Sequence, residues 1–143
     1  MNGKTFVDTN VLIYAHDIDA GQKHDIAKIV LRDLWADRTG VLSTQVLQEF
    51  YMNATRKIRT LLPKPAAREV VSTYAAWCVD GITTADVTAA FQIEDDAKIS
   101  FWDALIVAVA VRSGATRVLS EDLNSGQAIA GVLIQNPFTT KDD

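Results

Sequence analysis

The chain has 143 residues, with 14 Lys+Arg against 18 Asp+Glu, two His and one Cys. That length predicts one domain, since domains commonly run about 100–150 residues, and such a domain buries enough surface to fold without a disulfide or structural metal. The 48% hydrophobic content argues against disorder, and the net charge of −4 argues against a protein that coats nucleic acid with its whole surface.

Lys4-Thr5-Phe6-Val7 is short, partly β-branched and followed by polar Asp8-Thr9-Asn10, which predicts a strand ending in a turn. Gln22 to Arg38 carries Ile26, Ile29, Val30, Leu34 and Trp35 at helical spacing. Val41-Leu42 is a short strand candidate. Thr44 to Lys57 places Val46, Leu47, Phe50, Tyr51 and Ala54 on one helical face. The prolines of Leu61-Leu62-Pro63-Lys64-Pro65 predict a loop before a helix over Ala66 to Val79. Gly81 to Thr84 is a third strand candidate, and Asp86 to Lys98 reads as a helix capped by Asp86 or a neighbour. Ser100 to Arg112 alternates like a strand at Val107 to Val111. Its length, the Ser100/Asp103 capping-box pair and Gly114 beyond its end favour a buried helix. Thr116 to Leu119 and Val132 to Gln135 complete the strands. Strands alternating with helices predict an α/β fold: a three-layer α/β/α sandwich around a parallel sheet of about five strands.

There is no repeat, and the expected organisation is one domain over residues 1–138 with a short polar tail over 139–143. Cys78 has no partner for a disulfide or zinc cluster, which points to a reducing compartment. The first residues lack a secretory signal, and the longest apolar run, Ala104 to Val111, is too short to cross a membrane. A soluble, cytoplasmic protein is expected.

Four acids stand at element boundaries: Asp8, Glu49, Asp103 and Asp122. Open parallel sheets bind ligands beyond the carboxyl ends of their strands, and Asp8 and Asp122 both follow strand candidates. Ionised carboxylates brought together repel unless a cation compensates. With no His/Cys set, hard Mg²⁺ or Mn²⁺ is the expected cofactor. Such an ion activates water and stabilises charge on a phosphate, which makes phosphodiester hydrolysis the natural reaction.

Each acid also has a plainer reading. Asp8 and Asn10 could cap a helix starting near Val11, and Asp103 could only close the capping box with Ser100. Asp103 is, however, the one charge between Phe101 and Val111. Glu49 lies off its helix's apolar stripe, as a surface glutamate would, and Asp122 could belong to a turn with Glu121, Asn124, Ser125 and Gly126.

Together, Phe6-Val7-Asp8-Thr9-Asn10-Val11-Leu12, Glu49, Ser100-Phe101-Trp102-Asp103-Ala104 and Leu119-Ser120-Glu121-Asp122-Leu123 resemble the PIN domains, in particular the VapC-like toxins of toxin–antitoxin pairs. The resemblance extends from Phe6 to Asn136-Pro137-Phe138. It implies a Mg²⁺- or Mn²⁺-dependent endoribonuclease acting on single-stranded RNA, a cognate antitoxin and commonly a homodimer. It carries the acidic metal-binding, catalytic set onto Asp8, Glu49, Asp103 and Asp122, with Asn10 and Ser120 as supporting polar positions. Glu121 stands beside the last acid and could substitute for it in part. An antitoxin would pack on exposed apolar surface or insert a basic group into the acidic cleft.

An RNA track is less evident. Arg56, Lys57, Arg59, Lys64 and Arg68 fall in a stretch with no acid between Glu49 and Glu69, a pattern that fits phosphates or merely a solvated helix end; Arg56, Lys57 and Arg59 are the RNA-binding candidates. Tyr51, Trp35, Trp77 and Trp102 read as core, Cys78 as a small buried hydrophobe, and His16 and His24 as surface residues. Two rival functions remain: a catalytically silent RNA- or protein-binding module of the same fold, and an aspartyl-phosphate phosphatase with Asp8 as nucleophile. Asn10 argues against the second, because such phosphatases usually place another aspartate there.

Overall fold

A computed structural model describes residues 3–79, 81–123 and 125–139. The first strand, β1 (Lys4–Val7), runs into helix α1 (Thr9–His16), and a longer helix α2 (Gln22–Asp37) leads to the two-residue strand β2 (Gly40–Val41). Helices α3 (Thr44–Arg56), α4 (Lys64–Tyr74), α5 (Thr84–Ala97) and α6 (Phe101–Arg112) follow, with a 3₁₀ turn at Ala75–Trp77. Strands β3 (Ala115–Leu119), β4 (Ala128–Ile129) and β5 (Val132–Gln135) close the fold.

The sheet order is β2-β1-β3-β5-β4. All pairs are parallel except β4 with β5. Thr5, Phe6 and Val7 on β1 are all buried, so both faces of this central strand are covered. Chain connections leave β1 toward β2 on one side, while β3 lies on the other. This is a topological switch point, where a crevice opens beyond the carboxyl ends of the strands.

Local chemistry sets the helix ends. Ser43 Oγ accepts the Val46 N–H, and Ser100 Oγ accepts that of Asp103. Pro63 stands at the cap of α4 and Pro65 in its first turn, where a missing N–H leaves no bond unmade. The helix therefore begins inside the proline segment that the sequence reads as a loop. The Gly81 to Thr84 strand candidate is not a strand: Thr83 and Asp86 form a reciprocal capping box that starts α5. The fifth strand is instead β4, joined to β5 by Ala130-Gly131, both at positive φ (52° and 83°).

The core joins β1, β3 and β5 to α1, α2, α3 and α6. Helix α6 is buried from Ala104 through Ala110, which explains its nearly unbroken apolar sequence. Trp35, Tyr74 and Trp77 pack as an aromatic trio, with the Trp35–Trp77 centroids 4.7 Å apart. Gly40 lies under this trio, where an added Cβ would fall 2.7 Å from the Trp77 ring. Of the tryptophans, only Trp77 is core: Trp35 is 38% exposed and Trp102 64%. Tyr51 and Cys78 are half-buried. Among the described residues no helix is long and apolar enough to cross a membrane.

Candidate active site

The parallel pairing of β1 with β3 sets Val7 opposite Leu119. The next residues are therefore neighbours: the Asp8 N–H donates to the Leu119 carbonyl at 3.0 Å, and Ser120 Oγ donates to Asp8 Oδ2 at 2.8 Å. Asp8 also caps α1, its Oδ1 accepting the Thr9 N–H at 2.7 Å. Asp8 is thus the cap of α1 and, through Ser120, part of the carboxyl edge of the sheet.

Asp8, Glu49, Asp103 and Asp122 line one cleft of about 230 Å³, together with Thr9, Asn10, Gln45, Asn53 and Trp102. Each acid arrives from a different element. Glu49 lies on the exposed face of α3, and its Oε1 accepts a hydrogen bond from Thr9 Oγ1 at 2.8 Å. Asp103 is in the first turn of α6, where the helix dipole favours an acid. Ser100 caps its backbone N–H at 3.1 Å, but the reciprocal half of a capping box is not formed, and Asp103 remains part of the cleft wall. Asp122 is exposed in the loop after β3, and its Oδ2 accepts from Asn10 Nδ2 at 3.1 Å.

Ser120 is fully buried and ties this loop together. While donating to Asp8, its Oγ accepts the N–H groups of Asp122 at 3.2 Å and Leu123 at 3.4 Å. Burial pushes the Asp8 carboxyl up to about 6. The bonds from Ser120 and Thr9 oppose that rise, and the charges of Asp103 and Asp122 add to it.

Glu121 points elsewhere. Its Oε1 accepts from Tyr14 Oη at 2.7 Å, and its Oε2 pairs with Lys23. His16 is half-buried against the edge of Phe50 and does not line the cleft; burial lowers its pKa, with His24 and Lys28 adding to the effect. Arg56, Lys57 and Arg59 are exposed at and beyond the end of α3, outside the cleft wall. Gln45 and Asn53 are additions to the sequence reading. Their i, i+4, i+8 register with Glu49 was the available signal.

Whether a metal suits this cleft is a question of donor chemistry. Its ionisable lining groups are all carboxylates, with no Lys, Arg or His among them. Asn10 Oδ1 is buried and has no hydrogen-bond partner. Oxygen donors, crowded negative charge and an unsatisfied acceptor fit a hard divalent cation. Among the described residues, no three His, Cys, Asp or Glu side chains already stand as a closed metal-binding group.

The PIN domain profile matches residues 5–128. The chain belongs to the PIN domain family. Its fold is shared with a chain of a toxin–antitoxin complex from Klebsiella pneumoniae, at 18% identity and a TM-score of 0.68, covering 96% of this chain and 100% of that one. It is also shared with Mycobacterium tuberculosis VapC20, a sarcin–ricin-loop-cleaving toxin, at 22% identity and a TM-score of 0.60, covering 83% and 90%. A third similar structure is VapBC2 from Rickettsia felis bound to a DNA fragment from its promoter, at 14% identity and a TM-score of 0.64, covering 92% and 97%. No curated protein sequence matches the chain.

Proposed function

We propose that this chain is a Mg²⁺- or Mn²⁺-dependent endoribonuclease that cuts single-stranded RNA, and that it is the toxin of a toxin–antitoxin pair. The observation that carries the proposal is the cleft at the switch point, where four acids from four elements meet without a basic residue among them. Asp8, Glu49, Asp103 and Asp122 are the residues that would hold the ion. When bound, the ion supplies a positive charge that stabilises the phosphate in the transition state and eases ionisation of water. Ser120 keeps the Asp8 carboxylate oriented, and Asn10 does the same for Asp122. Thr9 fixes Glu49 across the cleft. Arg56, Lys57 and Arg59 would meet phosphates beyond the acids.

The toxin part of the proposal draws on the shared fold and on a second surface. A groove of about 970 Å³ is lined by α2 and by Ile18, Leu62 and Tyr74. Ile18 and Ile29 on it are 66% and 49% exposed. An exposed apolar patch of this kind suits an antitoxin. A homodimer, a cytoplasmic location and a single domain ending near residue 138 complete the reading. Residues 140–143 of the expected tail, and Asn124 of the turn after Asp122, lie outside the described residues.

Purified, antitoxin-free protein incubated with total RNA tests the reading. Discrete cleavage is expected with Mg²⁺ or Mn²⁺, and none with EDTA or in Asp8→Asn. One observation favours a catalytically silent RNA-binding module: the acids do not already stand as a closed metal group. RNA binding that is indifferent to EDTA, without cleavage by the wild type, would establish that alternative. The phosphatase reading is disfavoured because position 10 holds Asn10 and not a second aspartate.

A further inference from the structure

Trp102 is the second residue of α6, next to Asp103, and it forms part of the cleft wall. The middle of that helix, from Ala104 to Ala110, is buried, yet the indole is 64% exposed. A large aromatic ring left in water forgoes the burial that its neighbours achieve. The Phe101 ring lies 5.3 Å from Trp102, and Phe91 on α5, itself 52% exposed, lies 5.8 Å from Phe101. The aromatic surface therefore runs outward from the acids.

The chemistry of the cleft restricts what this surface can hold. Its ionisable side chains are four carboxylates with no Lys, Arg or His, so apart from an ion they would hold, they attract no phosphate, and the rest of a substrate's affinity must come from neighbouring groups. A nucleobase is neutral and flat, and it stacks on an indole regardless of sequence. The opposite wall is α3, with Gln45, Glu49 and Asn53 along one stripe. Arg56 falls within about 20° of Gln45 on that helix and about 10 Å beyond Glu49 along its axis. It is exposed and forms no ion pair among the described residues. A base against Trp102 and a phosphate near Arg56 would bracket the acids.

We propose that Trp102 is the base-stacking wall of the cleft, holding an unpaired nucleobase of a single-stranded RNA beside the scissile phosphate. The proposal rests on the ribonuclease reading and adds the group that holds the substrate. Because the ring faces solvent, replacing it leaves the core intact.

The test uses the full chain carrying Asp8→Asn, with labelled octamers of oligoadenylate and oligouridylate and with an octamer of abasic ribose phosphates. The parent variant should bind oligoadenylate more tightly than oligouridylate, with quenching of tryptophan fluorescence. Trp102→Ala should weaken oligoadenylate binding about tenfold and remove most of the quenching, while Trp102→Phe keeps most of the affinity. The abasic octamer should bind weakly and equally to all three proteins. In the active wild-type background, Trp102→Ala should raise KM with kcat largely kept. Unchanged oligoadenylate affinity in Trp102→Ala overturns the proposal while leaving the ribonuclease reading standing. A fall from dimer to monomer in Trp102→Ala, seen by light scattering, also overturns it and assigns the ring to an interface between copies. If the wild type cleaves no RNA and the parent variant binds none of the octamers, the ribonuclease reading fails and the proposal with it.

Discussion

Ser120 Oγ donates to Asp8 Oδ2 at 2.8 Å across the β1–β3 pair, while accepting the backbone N–H groups of Asp122 and Leu123. One hydroxyl thus fixes two of the four acids. Ser120→Ala removes a donor from a buried carboxylate and leaves two N–H groups without this acceptor. Stability at pH 7.5 should fall by about 1–3 kcal/mol in urea unfolding. RNA cleavage should fall further than stability explains, because Asp8 and the Asp122 loop lose their mutual register. Wild-type stability together with wild-type cleavage would sink this role.

Asp8 itself predicts a pH dependence with a definite sign. Its folded value of about 6 lies above the ordinary 3.8, so the native chain holds this proton more tightly than the unfolded chain. In EDTA, the stability contributed by Asp8 is fully present below about pH 4 and is lost as pH rises through about 6. Asp8→Asn should therefore be more stable than wild type at pH 7.5, by on the order of 1–3 kcal/mol, with the difference vanishing toward pH 4. Thermal unfolding across that range checks it. A less stable variant at pH 7.5 would mean that lost hydrogen bonding outweighs relieved burial of charge.

Added Mn²⁺ should reverse that order. An ion that binds only the folded chain stabilises it by about 2.7 kcal/mol at a hundred times its Kd. Wild type should gain this shift, and Asp8→Asn and Asp122→Asn should lose most of it. Glu121→Gln should keep it, since both Glu121 oxygens are engaged by Tyr14 and Lys23 outside the cleft. Loss of the Mn²⁺ shift in Glu121→Gln, with retention in Asp122→Asn, would exchange the roles of these neighbours.

Much of this was legible because each signal was local. The β1 strand followed by Asp8-Thr9-Asn10, the Ser100 cap and the apolar run to Val111 each specify their own geometry. The acids could be ordered along the chain, and the parallel sheet accounts for Asp8 and Ser120 sharing an edge. Four features escaped for physical reasons. The β4–β5 hairpin turns at Ala130-Gly131, where Ala130 takes φ 52° without the usual Asn or Asp signal. Thr83 and Thr84 have strand-like side chains, but the capping bond to Asp86 decides their conformation. Pro65 reads as a helix breaker, although the first turn of α4 tolerates it. Trp102 fits an apolar pattern, and only the tertiary placement of the first turn of α6 beside the cleft leaves its ring in water.

The far end of α6 offers a test of stability separated from chemistry. Arg112 Nε and Nη2 donate to Asp86 Oδ1 at 2.8 Å and Oδ2 at 2.9 Å, joining the end of α6 to the start of α5. Asp86 is only 3% exposed, and the Arg112 bonds hold its carboxyl below the usual carboxylate range, against the opposing effect of burial. This pair therefore contributes stability that is present above about pH 4 and lost as pH falls through the depressed value. Arg112→Met leaves a buried carboxylate without its fork and should cost about 2–4 kcal/mol at pH 7. It should also move the acid unfolding limb to higher pH, because Asp86 loses the charge that kept it ionised. Arg112→Met with Asp86→Leu should recover part of the loss, since no charge is then left buried, although Asp86→Leu also removes the carboxylate half of the α5 capping box. Arg112 lies nine residues, about 13 Å along the helix, from Asp103. RNA cleavage at 20 °C, where each variant remains folded, should keep the wild-type kcat. A large fall in kcat with folding intact would show that the α5–α6 joint positions Asp103 as well as stabilising the fold.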